Sequence, residues 1–419
     1  MNKAVVLAGG VAQGEMIKRL KKRGYYTILV DYTNHPVAEP FADKFYREST
    51  LDADAVRKIA LHEKADRIMT CCTDQALATV SLLSEELGLP CYLSSKEGMN
   101  VTNKRLMKSV MMDNGIPTSK FIIVDNVKKF KGQRKTAGID FPFVIKPVDC
   151  NSSKGVKKVY AEHSAQAALL EAIGFSRTGE AIVEQFVPGT EISVDLMVVD
   201  GNPVVLCMSE SLKLGLADSF IISSGIYPAQ LSDKTVVRIK EIALQIVDAF
   251  GIRNSPMLIQ VLVDNDNVSV IEFSARTGGG LKYRMIELAS GVDIISDTID
   301  LFERGQWSLD DEADKAERRR DIIVNEFVYC DAGIFGQIEG IEKCEKCQAV
   351  DRVSILKPMG SKIGGTKSSG DRIAALTYCA HTWDEYLLAH EIVVDSLRIL
   401  NEDGIDIIRR DLLVGGMEK

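Results

Sequence analysis

From the N-terminus, short apolar runs alternate with longer stretches in which apolar residues recur every three or four positions. The runs KAVVL, TILV and RIMTCC have the length of buried strands, and the stretches after them predict helices over 14–23, 53–62 and 75–87. Strand and helix in alternation predict a parallel sheet. The segment NKRLMKSVMMDNG then reads as a helix capped by Gly115, which Pro117 keeps from continuing, so a domain boundary falls near here. From 121 to 187 the signals FIIVD, FPFVIKPVD, KGVKKVY, AQAALLEAIG and AIVEQFV predict a small α+β subdomain. A strand-rich run follows, EISVDLMVVDGNPVVLCMSES, with a hairpin turn at Asp200-Gly201-Asn202-Pro203, and it opens a larger antiparallel sheet. Next come a helix over 233–250 and the hairpin MLIQVLVDNDNVSVIEFSAR, turning at 264–267. After Gly278-Gly279-Gly280 the chain predicts the helix LKYRMIELASG, a charged segment over 310–321 and a last unit from 322 to about 413 with a helix over 383–400. No internal repeat breaks this order.

Composition narrows the function. The chain has 419 residues, 46% hydrophobic and 26% charged, ample for several cores, and its 51 basic and 59 acidic residues leave a net charge of −8. No stretch concentrates Lys and Arg enough to follow a phosphate backbone, so nucleic acid is not expected as a partner. The basic cluster Arg318 to Arg320 is flanked by Asp311, Glu312, Asp314, Glu317 and Asp321 and reads as a mixed-charge linker or exposed helix face. No apolar run reaches about 18 residues and the first glycines come too early for a signal-peptide core, so a soluble cytoplasmic protein without membrane contact is expected. Nine cysteines in largely apolar surroundings suit reduced thiols. Cys344 and Cys347 form a C-x-x-C with no second pair at zinc spacing, and whether they bind anything is left open.

Candidate chemistry sits in four places. Gly9, Gly10 and Gly14 follow the first strand and Asp31 closes the second, but the spacing is G-G-x-x-x-G rather than the dinucleotide fingerprint, which argues against an NAD-dependent oxidoreductase. That loop is either an anion site at a helix N-terminus or a tight turn that seats the helix on the sheet. In FPFVIKPVDCNSSKGVKKV, Lys146 lies on an apolar strand, where a lysine needs an anion. The loop 150–155 after it has the donors of a phosphate nest; the plain alternative is an exposed hairpin with a surface lysine. In IVEQFVPGTEISVD, Glu184 and Glu191 flank a Pro-Gly turn that either presents polar groups to a nucleoside or is simply solvated. In the 257–276 hairpin, Gln260 and Glu272 fall on neighbouring strands, an oxygen pair suited to magnesium. Arg276 follows as a fork for phosphate, and the alternative is a surface ladder with one ion pair. Lys213, with the loop SLKLGLADSFIISSG, and Lys282, Tyr283 and Arg284 are candidates for an acceptor pocket or for plain surface. His163, His381 and His390 read as structural.

The order of these pieces, from the GG loop through NKRLMKSVMMDNGIPTSKF, VIKP, NSSKGV, VEQFVPGTE and IEFSARTGGG to SGDRIAALTYCAHTWDEYLLAH, resembles the ATP-grasp superfamily. The sequence is similar to that family's carboxylate–amine ligase and carbamoyl-phosphate-synthase-like members. The resemblance implies an α/β and α+β multidomain chain. Residues 1–105 would form a parallel α/β domain, 106–190 a small subdomain with the glycine-rich loop, 191–320 a large subdomain with the metal site, and 321–419 a unit completing the fold. It implies ATP with magnesium, or manganese, as cofactors. It places Lys104 and Lys146 on phosphates, Ser152, Ser153 and Gly155 in the mobile loop, Glu184 and the Val187 backbone at adenine, and Glu191 at ribose. Gln260, Glu272 and Ser274 fall at the metal positions and Arg276 on the transferred phosphate, with Arg276 and Lys104 as the catalytic pair. Two positions depart from the family pattern: Gln260 stands where Glu is usual and Ser274 where Asn is usual, which removes one negative charge from the metal site. The implied reaction phosphorylates a small carboxylate to an acyl phosphate and passes it to an amine. Bicarbonate chemistry and an ATP-binding regulatory module are the rival readings. A homodimer is a family expectation.

Overall fold

Four short strands open the chain, Lys3–Leu7, Tyr26–Val30, Lys44–Tyr46 and Arg67–Met69; they pair in parallel, with Lys3–Leu7 between Tyr26–Val30 and Arg67–Met69. Parallel neighbours need crossovers, and helices Val11–Lys22 and Ala53–Glu63 supply two of them. The first helix starts three residues earlier than its apolar spacing predicts, so Gly14 lies inside it. A Cβ at Gly14 would stand 3.1 Å from the Phe41 ring, so this glycine serves close packing. The computed structural model describes residues 1–151, 153–216, 218–306 and 321–413.

A second sheet, fully antiparallel, joins Phe121–Val124, Ala181–Gln185, Phe143–Pro147 and Lys157–Val159 in that order, with helices Val127–Thr136 and Glu162–Phe175 packed on it. The helix Val127–Thr136 is unforeseen in the apolar pattern because it buries only Phe130 and Arg134. Its sequence signal is the Asn126 side chain, which accepts the Lys128 N–H at 2.9 Å.

The third sheet has eight antiparallel strands, in the order Asn267–Ser274, Ser255–Asp264, Thr190–Val199, Asn202–Lys213, Ile222–Tyr227, Ile322–Val328, Ala374–Ala380 and Val350–Ile355. Three strands from the last hundred residues thus extend a sheet begun at Thr190. Helix Asp233–Phe250 buries Ile239, Ile242, Ala243 and Ile246 against it. Helices Lys282–Ser290 and Ile294–Arg304 share a core with the N-terminal sheet, and Arg19–Asp293 (2.8 Å) and Arg23–Asp300 (2.6 Å) ion pairs mark that contact. The helix predicted over 383–400 ends at Ser396, and Arg398–Asn401 instead pairs as a strand with Gly333–Glu339. The charged segment read at 310–321 lies outside the described residues except for Asp321. Among the described residues no helix is long and apolar enough to cross a membrane.

Beneath helix Trp383–Ser396, His390 Nε2 lies 3.2 Å from Glu326 Oε1, both residues being buried. Burial works against the imidazolium, but the Glu326 carboxylate outweighs it and holds the His390 pKa above its ordinary value. A raised folded-state pKa gives a stabilisation that is fully present below the unfolded value of about 6.5 and lost as pH rises through the raised value. The melting-temperature gap between the wild type and His390→Leu is therefore expected to be largest near pH 6 and to shrink toward pH 8. A gap that does not change with pH would refute the charged pair.

Candidate active site

Between the small antiparallel sheet and the eight-stranded sheet lies a cavity of about 530 Å³. Lys146 enters it from strand Phe143–Pro147 and Glu184 from the adjacent strand Ala181–Gln185. Their side chains meet at 2.7 Å, Lys146 Nζ to Glu184 Oε1. The other oxygen of Glu184 lies 3.1 Å from Lys108 Nζ and accepts the Ser119 hydroxyl at 2.7 Å. Burial pushes the Glu184 carboxyl up, but the two lysines prevail and bring its pKa down to about 2. For Lys146, burial opposes the charge and Glu184 and Glu272 more than restore it, so its pKa stands above the usual lysine value. The Glu184 carboxylate is thus engaged by lysines, and a base could meet the backbone of Gln185, Phe186 and Val187, which line the same cavity.

Lys104 begins helix Lys104–Asp113, where its charge opposes the helix dipole. Its ammonium donates to the Cys150 carbonyl at 2.7 Å and lies 3.4 Å from Glu272 Oε2. In the hairpin ladder Gln260 stands directly opposite Glu272, with a register shift after Gln260. The Gln260 amide donates to Glu191 Oε1 at 2.8 Å, and Glu191 Oε2 receives Lys213 at 2.5 Å. Burial raises the Glu272 pKa, yet Lys104 and Lys146 bring it below the usual range, so it stays a carboxylate. Ser274 donates to Asp74 Oδ1, and both line a small pocket with Gln260, Glu272 and Arg276. Arg276 grips the same Asp74 with two nitrogens, Nε at 2.7 Å, while Asn151 donates to its other oxygen at 2.9 Å.

Asp74 escaped the sequence reading. It opens helix Asp74–Leu87 just past the C-terminal end of a parallel strand, and its partners lie far along the chain. In the 150–155 loop, Ser153 donates to the Phe220 carbonyl at 3.1 Å. Gly155 has φ +68 and no room for a Cβ, which would stand 2.8 Å from the Phe175 ring. Ser152 lies outside the described residues.

A second cavity, of about 770 Å³, opens between the N-terminal glycine loop, Gly279–Gly280 and the last unit. Here the Gly9 N–H donates to Asp31 Oδ2 at 2.7 Å and a Cβ on Gly9 would stand 2.4 Å from Pro36. Gly9 therefore serves a tight turn, and its donor is already used. Arg372, also missed in the sequence, lines this cavity with its guanidinium 3.6 Å over the Phe327 ring. Its nitrogens donate to Tyr329 Oη (3.0 Å) and the Ile222 carbonyl (3.3 Å), and among the described residues no carboxylate pairs with it. Burial pulls its pKa below the usual arginine value, and a neutral tyrosine only partly offsets that. Such a cation favours an anionic ligand.

The acceptor candidates divide. Tyr283 lines the second cavity. Arg284 pairs with Asp351 at 2.5 Å, and Lys282 is buried 3.4 Å from Asp195. His163 is exposed, and His381 bonds Asp321 at 2.8 Å. Among the described residues no three His, Cys, Asp or Glu side chains converge on a metal position, Cys344 and Cys347 included. Glu272 and Gln260 offer one carboxylate and one amide oxygen, which fits magnesium arriving with phosphate ligands of its own and not a preformed cage.

Residues 139–284 match the profile of the ATP-grasp domain family. The formate-dependent phosphoribosylglycinamide formyltransferase of Maridesulfovibrio salexigens is 28% identical over 287 residues, 65% of this chain and 69% of that protein. The multifunctional protein ura1 of Schizosaccharomyces pombe is 22% identical over 289 residues, 68% of this chain but only 13% of that protein. The chain therefore spans a small fraction of such long relatives. Among solved structures, L-amino acid ligase from Bacillus licheniformis superposes with a TM-score of 0.77 at 20% identity, covering 96% of this chain and 99% of that one. Biotin carboxylase from Campylobacter jejuni gives 0.76 at 18%, covering 100% and 96%. At these identities the likeness to solved structures is one of fold.

Proposed function

From the premise that the chain belongs to the ATP-grasp superfamily, we propose that it is an ATP-dependent ligase that activates a small carboxylate as an acyl phosphate and joins it to an amine. The observation that carries this reading is the arrangement of charges in the first cavity. Three lysines at its wall each rest against a carboxylate, Lys104 on Glu272, Lys146 on Glu184 and Lys213 on Glu191, while Lys158 lies over the Phe186 ring; Arg276, on Asp74, lines a small neighbouring pocket that also holds Lys104 and Glu272. An arriving polyanion meets cations already held in place, so little reorganisation is needed to bind it.

Glu272 and Gln260 would hold magnesium, which neutralises charge on the phosphates when bound. Lys146 and Lys104 would hold phosphate oxygens, the backbone of Gln185 to Val187 would face the base, and Glu191 the ribose. Arg276 would steady the phosphoryl group in transfer. A carboxylate oxygen of the substrate attacks the γ-phosphorus as the bond to the β-phosphate oxygen breaks, and ADP leaves. The amine then attacks the acyl carbon, inorganic phosphate leaves, and the amine loses a proton. The loop that carries Ser153 and Gly155 would keep water from the acyl phosphate. The second cavity, with Arg372, suits the carboxylate or another anionic part of the acceptor, and Gly279 and Gly280, which follow Arg276 closely in the chain, line it.

Incubation with ATP, magnesium and a panel of carboxylic acids tests the reading, with hydroxylamine as surrogate amine. ADP with a hydroxamate from one acid is expected. AMP would overturn the mechanism, ADP with bicarbonate alone would shift it to carboxylation, and ATP binding without turnover would favour a regulatory module. Lys146→Ala is expected to weaken ATP binding about tenfold to a hundredfold, as loss of a charge-assisted hydrogen bond of roughly 1.5–3 kcal/mol would. Calorimetry showing wild-type affinity would contradict the phosphate role.

A further inference from the structure

Lys108 has no place in the proposed reaction, yet it is the most buried lysine around the site, with its side chain 1% exposed. It follows Lys104 by one helical turn, on the same face of helix Lys104–Asp113. It lines neither cavity. Its ammonium is fully engaged, 2.5 Å from Thr118 Oγ1, 3.2 Å from Ser119 Oγ and 3.1 Å from Glu184 Oε2. Lys146, by contrast, touches Glu184 alone among these groups and faces the open cavity. One buried carboxylate therefore serves two lysines, one fixed and one facing the space where phosphates are proposed to bind.

A carboxylate with a single buried lysine would hold that lysine tightly, because removing either partner strands the other charge. A carboxylate already compensated by a second, immobile lysine can let the first one go. We propose that Lys108 is a positioning residue: it anchors Glu184 as a shared counter-ion and so leaves Lys146 free to bind nucleotide phosphate. The inference rests on the ATP-binding reading above. Burial pulls the Lys108 pKa down and Glu184 restores part of it, so this carboxylate is the chief group that favours the charged form.

The test is equilibrium binding of magnesium with a non-hydrolysable ATP analogue to the full chain, by calorimetry, for the wild type, Lys108→Met, Glu184→Gln and the double variant, with melting curves to show folding. Lys108→Met is expected to bind about tenfold more weakly or worse, because Glu184 then holds Lys146 alone. In turnover, the ATP KM should rise more than kcat falls. The double variant should recover most of the loss relative to Lys108→Met and match Glu184→Gln within about twofold, since Lys108 acts only through that carboxylate. A folded Lys108→Met with wild-type affinity would overturn the proposal, as would a double variant no better than the single one. Should Lys108→Met fail to fold, the comparison of Glu184→Gln with the double variant still decides: a further loss on removing Lys108 there means that it acts by another route. A wild type that binds no nucleotide would instead refute the ATP reading itself.

Discussion

Glu272→Ala is expected to cut ATP turnover by at least about a hundredfold while the protein still folds and melts close to the wild type. The side chain is 34% exposed at the cavity wall, so its removal leaves no void in a core. Lys104, its ion-pair partner, keeps the Cys150 carbonyl. What is lost is the one carboxylate of the Gln260–Glu272 pair. Because Gln260 carries no charge, nothing in that pair can replace it, and the defect should be larger than in a site with two acids. Glu272→Asp, which retracts the carboxylate but keeps its charge, should retain part of the activity and respond to raised magnesium. Steady-state rates across a magnesium titration check both, beside melting curves. Wild-type turnover in Glu272→Ala would remove this residue from the metal assignment.

Much of this geometry could be read along the chain because it is local. The turn at 264–267 and the period-two alternation of its strands bring Gln260 opposite Glu272. Lys146 is marked by the apolar run around it, since a lysine on a buried strand demands an anion. Other groups left no such mark. Lys108 follows Lys104 at helical spacing, and lysines so spaced normally read as a solvated face. Its partner Glu184 is 76 residues further on, and the packing of helix against small sheet creates the contact. Arg372 lies in a polar stretch, and the Phe327 ring and Tyr329 hydroxyl that hold its guanidinium come from more than forty residues earlier in the chain. The helix predicted to run to 400 stops at Ser396 because the following residues pair with a strand sixty positions earlier, a preference apolar periodicity does not carry.

Asp74→Ala should produce the largest loss of stability among changes at the site, together with loss of turnover. Burial raises the Asp74 pKa, but Arg276, aided by Ser274 and Lys104, brings it below the usual aspartate value. Asp74 also receives Asn151 and Ser274, so a single carboxylate ties the start of helix Asp74–Leu87 to the 150–155 loop and to the end of the hairpin. Removing it strands the Arg276 guanidinium, whose side chain is only 12% exposed, and breaking such a buried pair costs roughly 3–5 kcal/mol. The depressed pKa means that this stabilisation is present above the unfolded aspartate value of about 3.9 and disappears as pH falls through the lower folded value. Chemical denaturation at pH 7 should therefore show the full deficit, and the two proteins should converge in acid. Adding Arg276→Met to Asp74→Ala removes the stranded charge, so stability should return in large part. Turnover should not, because Arg276 is the group proposed to steady the transferred phosphoryl. Recovery of both would show that Arg276 serves only the fold, and an Asp74→Ala protein as stable as the wild type would show that these segments are held together elsewhere.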